Sequence, residues 1–237
     1  MSTNPKRLGG RLALVTGASR GLGRAVARHL GNAGAHVVAL ARTVGGLEEL
    51  DEEVKAAGGS ATLVPLDICD DGGLERMGAA LHDRWGHLDL WIHTAIHAAP
   101  RAPAEHIDAK DLDKSLATNV RAFQRLIRVV DPLLRKSSNG RAFVFEDAGT
   151  ECQNFYGAYH ITKRAQIALA EMWGRELAGA TDARVAIVRA PPLPTAVRAR
   201  FYPGEDQRNL TRLDPLAKRV TQAAIECAQG HVDLTTE

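Results

Sequence analysis

The sequence predicts an α/β fold over residues 1–237: a single domain built as a doubly wound parallel sheet with helices on both faces. Three observations predict it. Short apolar runs of strand length alternate with longer amphipathic stretches of helical period, the pattern of a sheet covered on both sides. A glycine-punctuated turn, Thr16-Gly17-Ala18-Ser19-Arg20-Gly21-Leu22-Gly23, joins the first run to the first helical stretch. The chain has 237 residues, 45% of them apolar and 24% charged, enough to bury one sheet completely.

Taken in order, Leu12–Val15 reads as the first strand and Arg24–Leu30 as the helix after the glycine turn. The turn Gly31-Asn32-Ala33-Gly34 leads to a second strand, Ala35–Leu40, completing a βαβ unit. A helix over Leu47–Ala57, stopped by Gly58 and Gly59, precedes a third strand, Ala61–Leu66, closed by Asp67. Next come a helix from Leu74 to Trp85 and a fourth strand, Leu88–His93. The segment Ala98–Ala104 reads as loop, and a long helical pattern from Asp111 to Arg135 contains Asn119, with Pro132 marking a kink or an early end. Ala142–Phe145 is the fifth strand, Tyr159–Leu177 a helix and Arg184–Val188 the sixth strand. Beyond it lie an irregular flap at about 191–210, a helix over Pro215–Gln229 and, on four residues only, a short edge strand His231–Leu234. Strands and helices in alternation imply right-handed crossovers and a parallel sheet.

Composition narrows the partners. A formal charge of +2, with Lys and Arg scattered among acidic residues, gives no phosphate track, so no nucleic acid is expected. The chain is too polar for a membrane span. Met1–Gly10 is short and polar and lacks the apolar core of a secretory signal, which makes the cytoplasm the expected compartment. Cys69, Cys152 and Cys227 have no paired spacing and read as reduced thiols. His93 and His97 are four apart, but one ends a strand and the other lies in a loop, so no metal site is expected. Trp85, Trp91 and Trp173 read as packing residues.

The glycine turn carries chemistry as well as topology. Without side chains, its backbone N–H groups and the following helix N-terminus can face a diphosphate closely. The alternative is a plain tight turn between a strand and a helix. The turn together with Tyr159-x-x-x-Lys163 resembles the short-chain dehydrogenase/reductase family, and the order and spacing of the match cover nearly the whole chain. The resemblance implies a Rossmann-type fold, a nicotinamide dinucleotide and a small-molecule carbonyl or alcohol substrate, and assembly as a homodimer or homotetramer. It places Asp67, followed by Ile68, at the adenine and Asn119 in the catalytic tetrad. It puts Gly17, Ser19, Arg20, Gly21, Leu22 and Gly23 around the diphosphate, and His93, Thr94, Ala95, Tyr159, Lys163 and Thr195 around the nicotinamide riboside.

The tyrosine–lysine pair makes sense without the family. Residues four apart share one helix face, and an ammonium beside a phenol lowers its pKa toward working pH. Tyr159 then acts as acid or base toward the substrate while the nicotinamide carries the hydride. Charge favours NADP(H) over NAD(H): the second strand is followed by Ala41, Arg42 and Thr43 in place of a carboxylate, and Arg20 adds a second guanidinium. Exposed surface arginines are the alternative reading of both.

Three positions depart from the family pattern. Ile92-His93-Thr94-Ala95-Ile96 replaces Asn-Asn-Ala-Gly, and Ala190-Pro191 replaces Pro-Gly. Most consequential, Glu146 and Asp147 stand where the catalytic serine belongs, with Thr150 the nearest hydroxyl. An ionised carboxylate there cannot donate to a carbonyl and raises the tyrosine's pKa; a protonated one could donate. Either residue could instead cap the strand end and face solvent. The second functional reading is therefore a weak or inactive nucleotide-binding regulatory or scaffold protein. In the flap, Phe201 and Tyr202 among Arg198, Arg200 and Arg208 suit an anionic or aromatic substrate, or are simply exposed. Ala165, Ala168 and Ala170 give the Tyr159 helix a face for close packing or subunit contact.

Overall fold

A computed structural model describes residues 7–148 and 153–236. The readings of the first residues, Thr150 and Cys152 lie outside that range. Seven strands form one parallel sheet: β1 (Leu12–Thr16), β2 (His36–Ala41), β3 (Ser60–Pro65), β4 (Leu90–His93), β5 (Arg141–Asp147), β6 (Arg184–Ala190) and β7 (Gly230–Asp233), in the order β3-β2-β1-β4-β5-β6-β7. The helices are α1 (Gly21–Asn32), α2 (Val44–Ala56), α3 (Asp71–Trp85), α4 (Ala109–Leu116), α5 (Ala122–Leu134), α6 (Gly157–Ala178), α7 (Ala196–Phe201) and α8 (Leu213–Ile225).

The period of two along each strand divides the core. On β1, Ala13 and Val15 face α1, α2 and α8, while Leu12 and Leu14 face α3, α5 and α6. Both faces are fully covered, so all of β1 is buried, which is why it reads as a continuous apolar run. On the second face Trp91 stacks on Phe123 at 5.5 Å and meets the edge of Trp173 at 5.9 Å. Burying an apolar side chain of this kind contributes about 1.5–3 kcal/mol. Trp85 packs its ring on His36 instead, 5.3 Å away. Ala170 joins the core, whereas Ala165 and Ala168 lie on the exposed face of α6 with Ile161 and Met172.

Several boundaries move. The short final strand forms, pairing Ala186–Arg189 of β6 with Gly230–Asp233. α8 ends at Ile225, four residues before the expected Gln229, and Cys227 then takes a left-handed φ of 59°. The flap is more ordered than irregular, holding α7 and a tight turn at Gln207–Asn209. The long helical pattern is interrupted at a π turn, Ala117–Arg121, well before Pro132, which lies in the last turn of α5. Side-chain bonding of Asn119 accounts for the position of that interruption. Its amide donates to His97 O (2.8 Å) and Thr162 Oγ1 (3.0 Å) and accepts from His97 N (2.8 Å). Such a bulge re-aims one side chain and frees local backbone groups.

The chain leaves β1 toward β2 and β3 on one side and toward β4–β7 on the other. Between β1 and β4, beyond their carboxyl ends, lies the crevice where open α/β sheets place ligands.

Candidate active site

A cleft of about 540 Å³ occupies that crevice. The glycine turn forms one wall of it. Gly17 has φ +84°, and a Cβ there would stand 2.7 Å from Ala95 N and 2.8 Å from Thr94 Oγ1, so only glycine lets the turn lie against the loop after β4. Thr94 fastens the same junction by donating to Thr16 O at 2.8 Å. Gly23 backs directly onto Gly17, whereas Gly21, with φ +58°, has only Thr195 Cγ2 within 4 Å, at 3.7 Å, of where its Cβ would be. A side chain at Gly21 would fill the cleft. The first turn of α1 has no side-chain cap from Arg20, which leaves its N–H donors to the cleft. These residues fit a diphosphate.

Ser19, Arg20, Leu22, Arg42, Thr43, Asp67 and Ile68 line the end of the cleft at β2 and β3. Asp67 accepts from Cys69 N at 2.9 Å and lies 3.6 Å from the Arg42 guanidinium. Arg42 is 66% exposed and Asp67 44%, so this ion pair contributes little.

The opposite end is made of buried side chains. Tyr159 and Lys163 come from the first turns of α6, and His93 from the end of β4. Lys163 Nζ donates to Phe145 O (2.5 Å) and to Gln166 Oε1 (2.8 Å). An ammonium has only donors, so this bond orients the Gln166 amide; its Nε2 reaches Asn119 O (2.9 Å) and His93 Nε2 (3.2 Å). His93 Nε2 is therefore the acceptor, and Nδ1–H faces Thr16 Oγ1 at 2.8 Å. Burial, aided by the Lys163 charge, lowers the His93 pKa to about 3 and keeps the ring neutral. Burial also lowers the Lys163 pKa, partly offset by Asp147 and Glu146.

The structure separates the two carboxylates between which the sequence leaves the choice open: Glu146 turns to Arg164 at 3.5 Å and does not line the cleft, while Asp147 lines it and accepts the Tyr159 hydroxyl's hydrogen bond through Oδ2. One expectation is corrected here: Lys163 does not lower the phenol's pKa. Desolvation, with Asp147 beside it, holds Tyr159 well above the usual phenol value. The reason is geometric: the ammonium is directed to Phe145 O, and the charge nearest the phenol is negative.

Of the remaining expected residues, His93, Thr94, Ala95 and Thr195 line the cleft; Asn119 sits behind it, fully buried. Thr195 also caps α7 by accepting from Arg198 N at 3.2 Å. The flap arginines have protein partners in this structure. Arg198 pairs with Glu205, Arg200 donates to Ala98 O at 2.6 Å, and Arg208 pairs with Asp206. Phe201 of α7 packs edge-on against Tyr159 and Tyr156, at 5.0 and 4.8 Å. Sequence reasoning missed Gln166 and Tyr156. Gln166 falls on the Tyr159 face of α6, seven residues after it, and Tyr156 immediately precedes the helix, three residues before Tyr159; that spacing was the available signal.

A parallel sheet in this order, with a glycine cradle at the switch point, is a Rossmann-type dinucleotide-binding fold. The short chain dehydrogenase family profile matches residues 11–206, and the chain belongs to this family of oxidoreductases. It is 29% identical over 200 residues to a fatty acyl-CoA reductase of Acinetobacter baylyi, covering 82% of this chain and 68% of that one. With a sorbitol dehydrogenase of Cereibacter sphaeroides the identity is 31% over 173 residues, 72% of this chain and 66% of that one. The chain thus spans about two thirds of the length of these curated relatives. Among solved structures, a protein of Pseudomonas syringae described as a short chain dehydrogenase superimposes with a TM-score of 0.91 at 29% identity, covering 98% of this chain and 97% of that one. A metagenomic short-chain oxidoreductase in complex with NADP gives 0.82 at 25% identity, covering 98% and 100%. Among the described residues, no helix is long and apolar enough to cross a membrane.

Proposed function

We propose that the protein, as a single domain, is an NADP(H)-dependent oxidoreductase interconverting a small-molecule carbonyl and alcohol by hydride transfer. The observation that carries this reading is that one cleft joins the uncapped glycine turn at Gly21 to Tyr159 and Lys163. When bound, the nicotinamide supplies or accepts the hydride. The chain's own groups do the rest. N–H groups from Ser19 to Gly23 take the diphosphate, and Asp67 with Ile68 bounds the adenine. Arg20, Arg42 and Thr43 hold the 2'-phosphate that distinguishes NADP(H), their forked donors matching phosphate oxygens. Lys163 serves the nicotinamide ribose, beside His93, Thr94 and Ala95, and Thr195 the carboxamide. Toward a carbonyl, Tyr159 donates its proton, and Asn119 anchors a path for its return. Assembly through the exposed α6 face carrying Ile161, Ala165, Ala168 and Met172 is part of the same reading, as is the cytoplasm as its compartment.

Side-by-side fluorescence titration with NADPH and NADH tests it. Tighter binding of NADPH supports the reading and the role of Arg42. Failure to bind either overturns it and leaves an interaction protein. Binding without turnover of any acceptor would favour the scaffold reading.

A further inference from the structure

Resting on the oxidoreductase reading, we propose that Gln166 is a positioning residue for the reaction: its amide clamps the Lys163 ammonium against the π turn and β4, so that Lys163 meets a cofactor ribose charged and already oriented. Gln166 is 1% exposed and lies one turn beyond Lys163 on α6. Its Oε1 accepts from Lys163 Nζ at 2.8 Å, and its Nε2 reaches Asn119 O at 2.9 Å and His93 Nε2 at 3.2 Å.

The amide has one workable orientation. Exchanging its oxygen and nitrogen would set N–H donors against an ammonium, which has only donors, and an oxygen against the Asn119 carbonyl. With His93 neutral, both hydrogens on Nε2 have acceptors, so the amide is used in full. It ties together α6, the π turn at Asn119 and the end of β4 at His93.

On the ammonium's side, two of three N–H groups are taken, by Phe145 O at 2.5 Å and by Gln166 Oε1. Among the described residues these are its hydrogen-bond partners, which leaves one N–H for a ligand in the cleft that Lys163 lines. Two bonds at fixed places hold a long, flexible side chain in one arrangement before any ligand arrives.

The clamp also bears on charge. A buried ammonium tends toward the neutral amine, and each acceptor opposes that tendency. Burial lowers the Lys163 pKa, and the Asp147 and Glu146 carboxylates of β5 oppose the fall. The other titratable groups beside it are Tyr159 of α6, which burial keeps protonated, and His93 of β4, which burial keeps neutral. Gln166→Met leaves all four in place, so the change it causes reports on the amide.

The test follows the Lys163 ammonium by NMR in the whole chain with isotope-labelled lysine side chains, its signal identified by its loss in Lys163→Arg. The titration midpoint is expected to fall by about one pH unit or more in Gln166→Met, which has nearly the same shape without the amide acceptor, and to rise in Gln166→Glu, which sets a carboxylate beside the ammonium. Fluorescence titration with NADPH reads the consequence. One pH unit above its own midpoint Gln166→Met should bind NADPH about tenfold more weakly than one unit below it, where it matches the wild type. An unchanged midpoint in Gln166→Met, or a shift of both variants in one direction, overturns the proposal. So does an affinity loss of equal size at every pH, which marks a packing defect. If circular dichroism shows Gln166→Met unfolded, Gln166→Leu is read in its place. The lysine titration needs no cofactor, which separates the two levels. A wild-type protein that binds no NADPH removes the oxidoreductase reading itself, whereas NADPH binding with an unshifted midpoint removes only the role of Gln166.

Discussion

The two ends of the cleft are built from different materials. At the glycine turn the walls are backbone: Gly17 pressed on Ala95, Gly21 open to the cleft, and the uncapped first turn of α1. At the α6 end the walls are side chains in one buried network, Thr16–His93–Gln166–Lys163, with the Tyr159–Asp147 pair beside it. A backbone site depends on glycine positions and helix geometry, so its chemistry is inherited with the fold. A side-chain site can be respecified by one residue. The fold thus fixes where a dinucleotide goes and leaves open what is done to the second substrate.

Substitutions sharpen this contrast. For a carbonyl acceptor, Tyr159→Phe is expected to lower kcat by about 10²–10⁴-fold with the NADPH Kd unchanged, since it removes the proton donor alone; steady-state kinetics and titration read the two separately. The converse is Gly17→Val. Its Cβ would meet backbone at 2.7 Å with φ +84°, so NADPH binding should weaken by about 100-fold or more, by calorimetry on protein whose fold circular dichroism has verified. Unchanged affinity would remove the distinction between the two ends. Next in size, Arg42→Ala should weaken NADPH by about 10–100-fold, the loss of one charge-assisted contact, and leave NADH alone.

The smallest effect concerns stability. His93 titrates near 6.5 when unfolded and near 3 when folded, so below about pH 6.5 the unfolded chain binds the extra proton. Stability is therefore fully present above pH 6.5 and lost as the pH falls toward 3. Between pH 7.5 and 5 the loss should reach about 2 kcal/mol by urea denaturation, and His93→Asn should flatten it.

The same division decided what could be read from the sequence. The alternation of strands and helices, the parallel sheet with its two-faced core and the glycine turn between strand and helix follow from periodicity and from residues with special backbone properties, and they appear where expected. The α6 network was only half legible. Tyr159 and Lys163 stand at helical spacing, but their partners come from β4, β5 and the π turn, contacts that spacing along one helix does not specify. The choice between Glu146 and Asp147 turns on strand register, because neighbouring residues point to opposite faces and a one-residue slip exchanges them. The break at Asn119 was placed at Pro132 because proline is the visible helix breaker, whereas a π turn driven by side-chain bonding has no local signature.

Strand order also sets a timetable. β1 pairs with β2, which follows it closely in the chain, and with β4, where Ala13 meets Leu90. While the ribosome makes the intervening residues, β1 can pair on one side only, and its other edge carries the apolar run Leu12–Val15. An apolar edge left open during synthesis is a template for wrong pairing, and late closure of distant parallel pairs is slow. The nascent chain passes through its most aggregation-prone interval before β4 is complete, so slowing translation after β3 should lower the yield of folded protein.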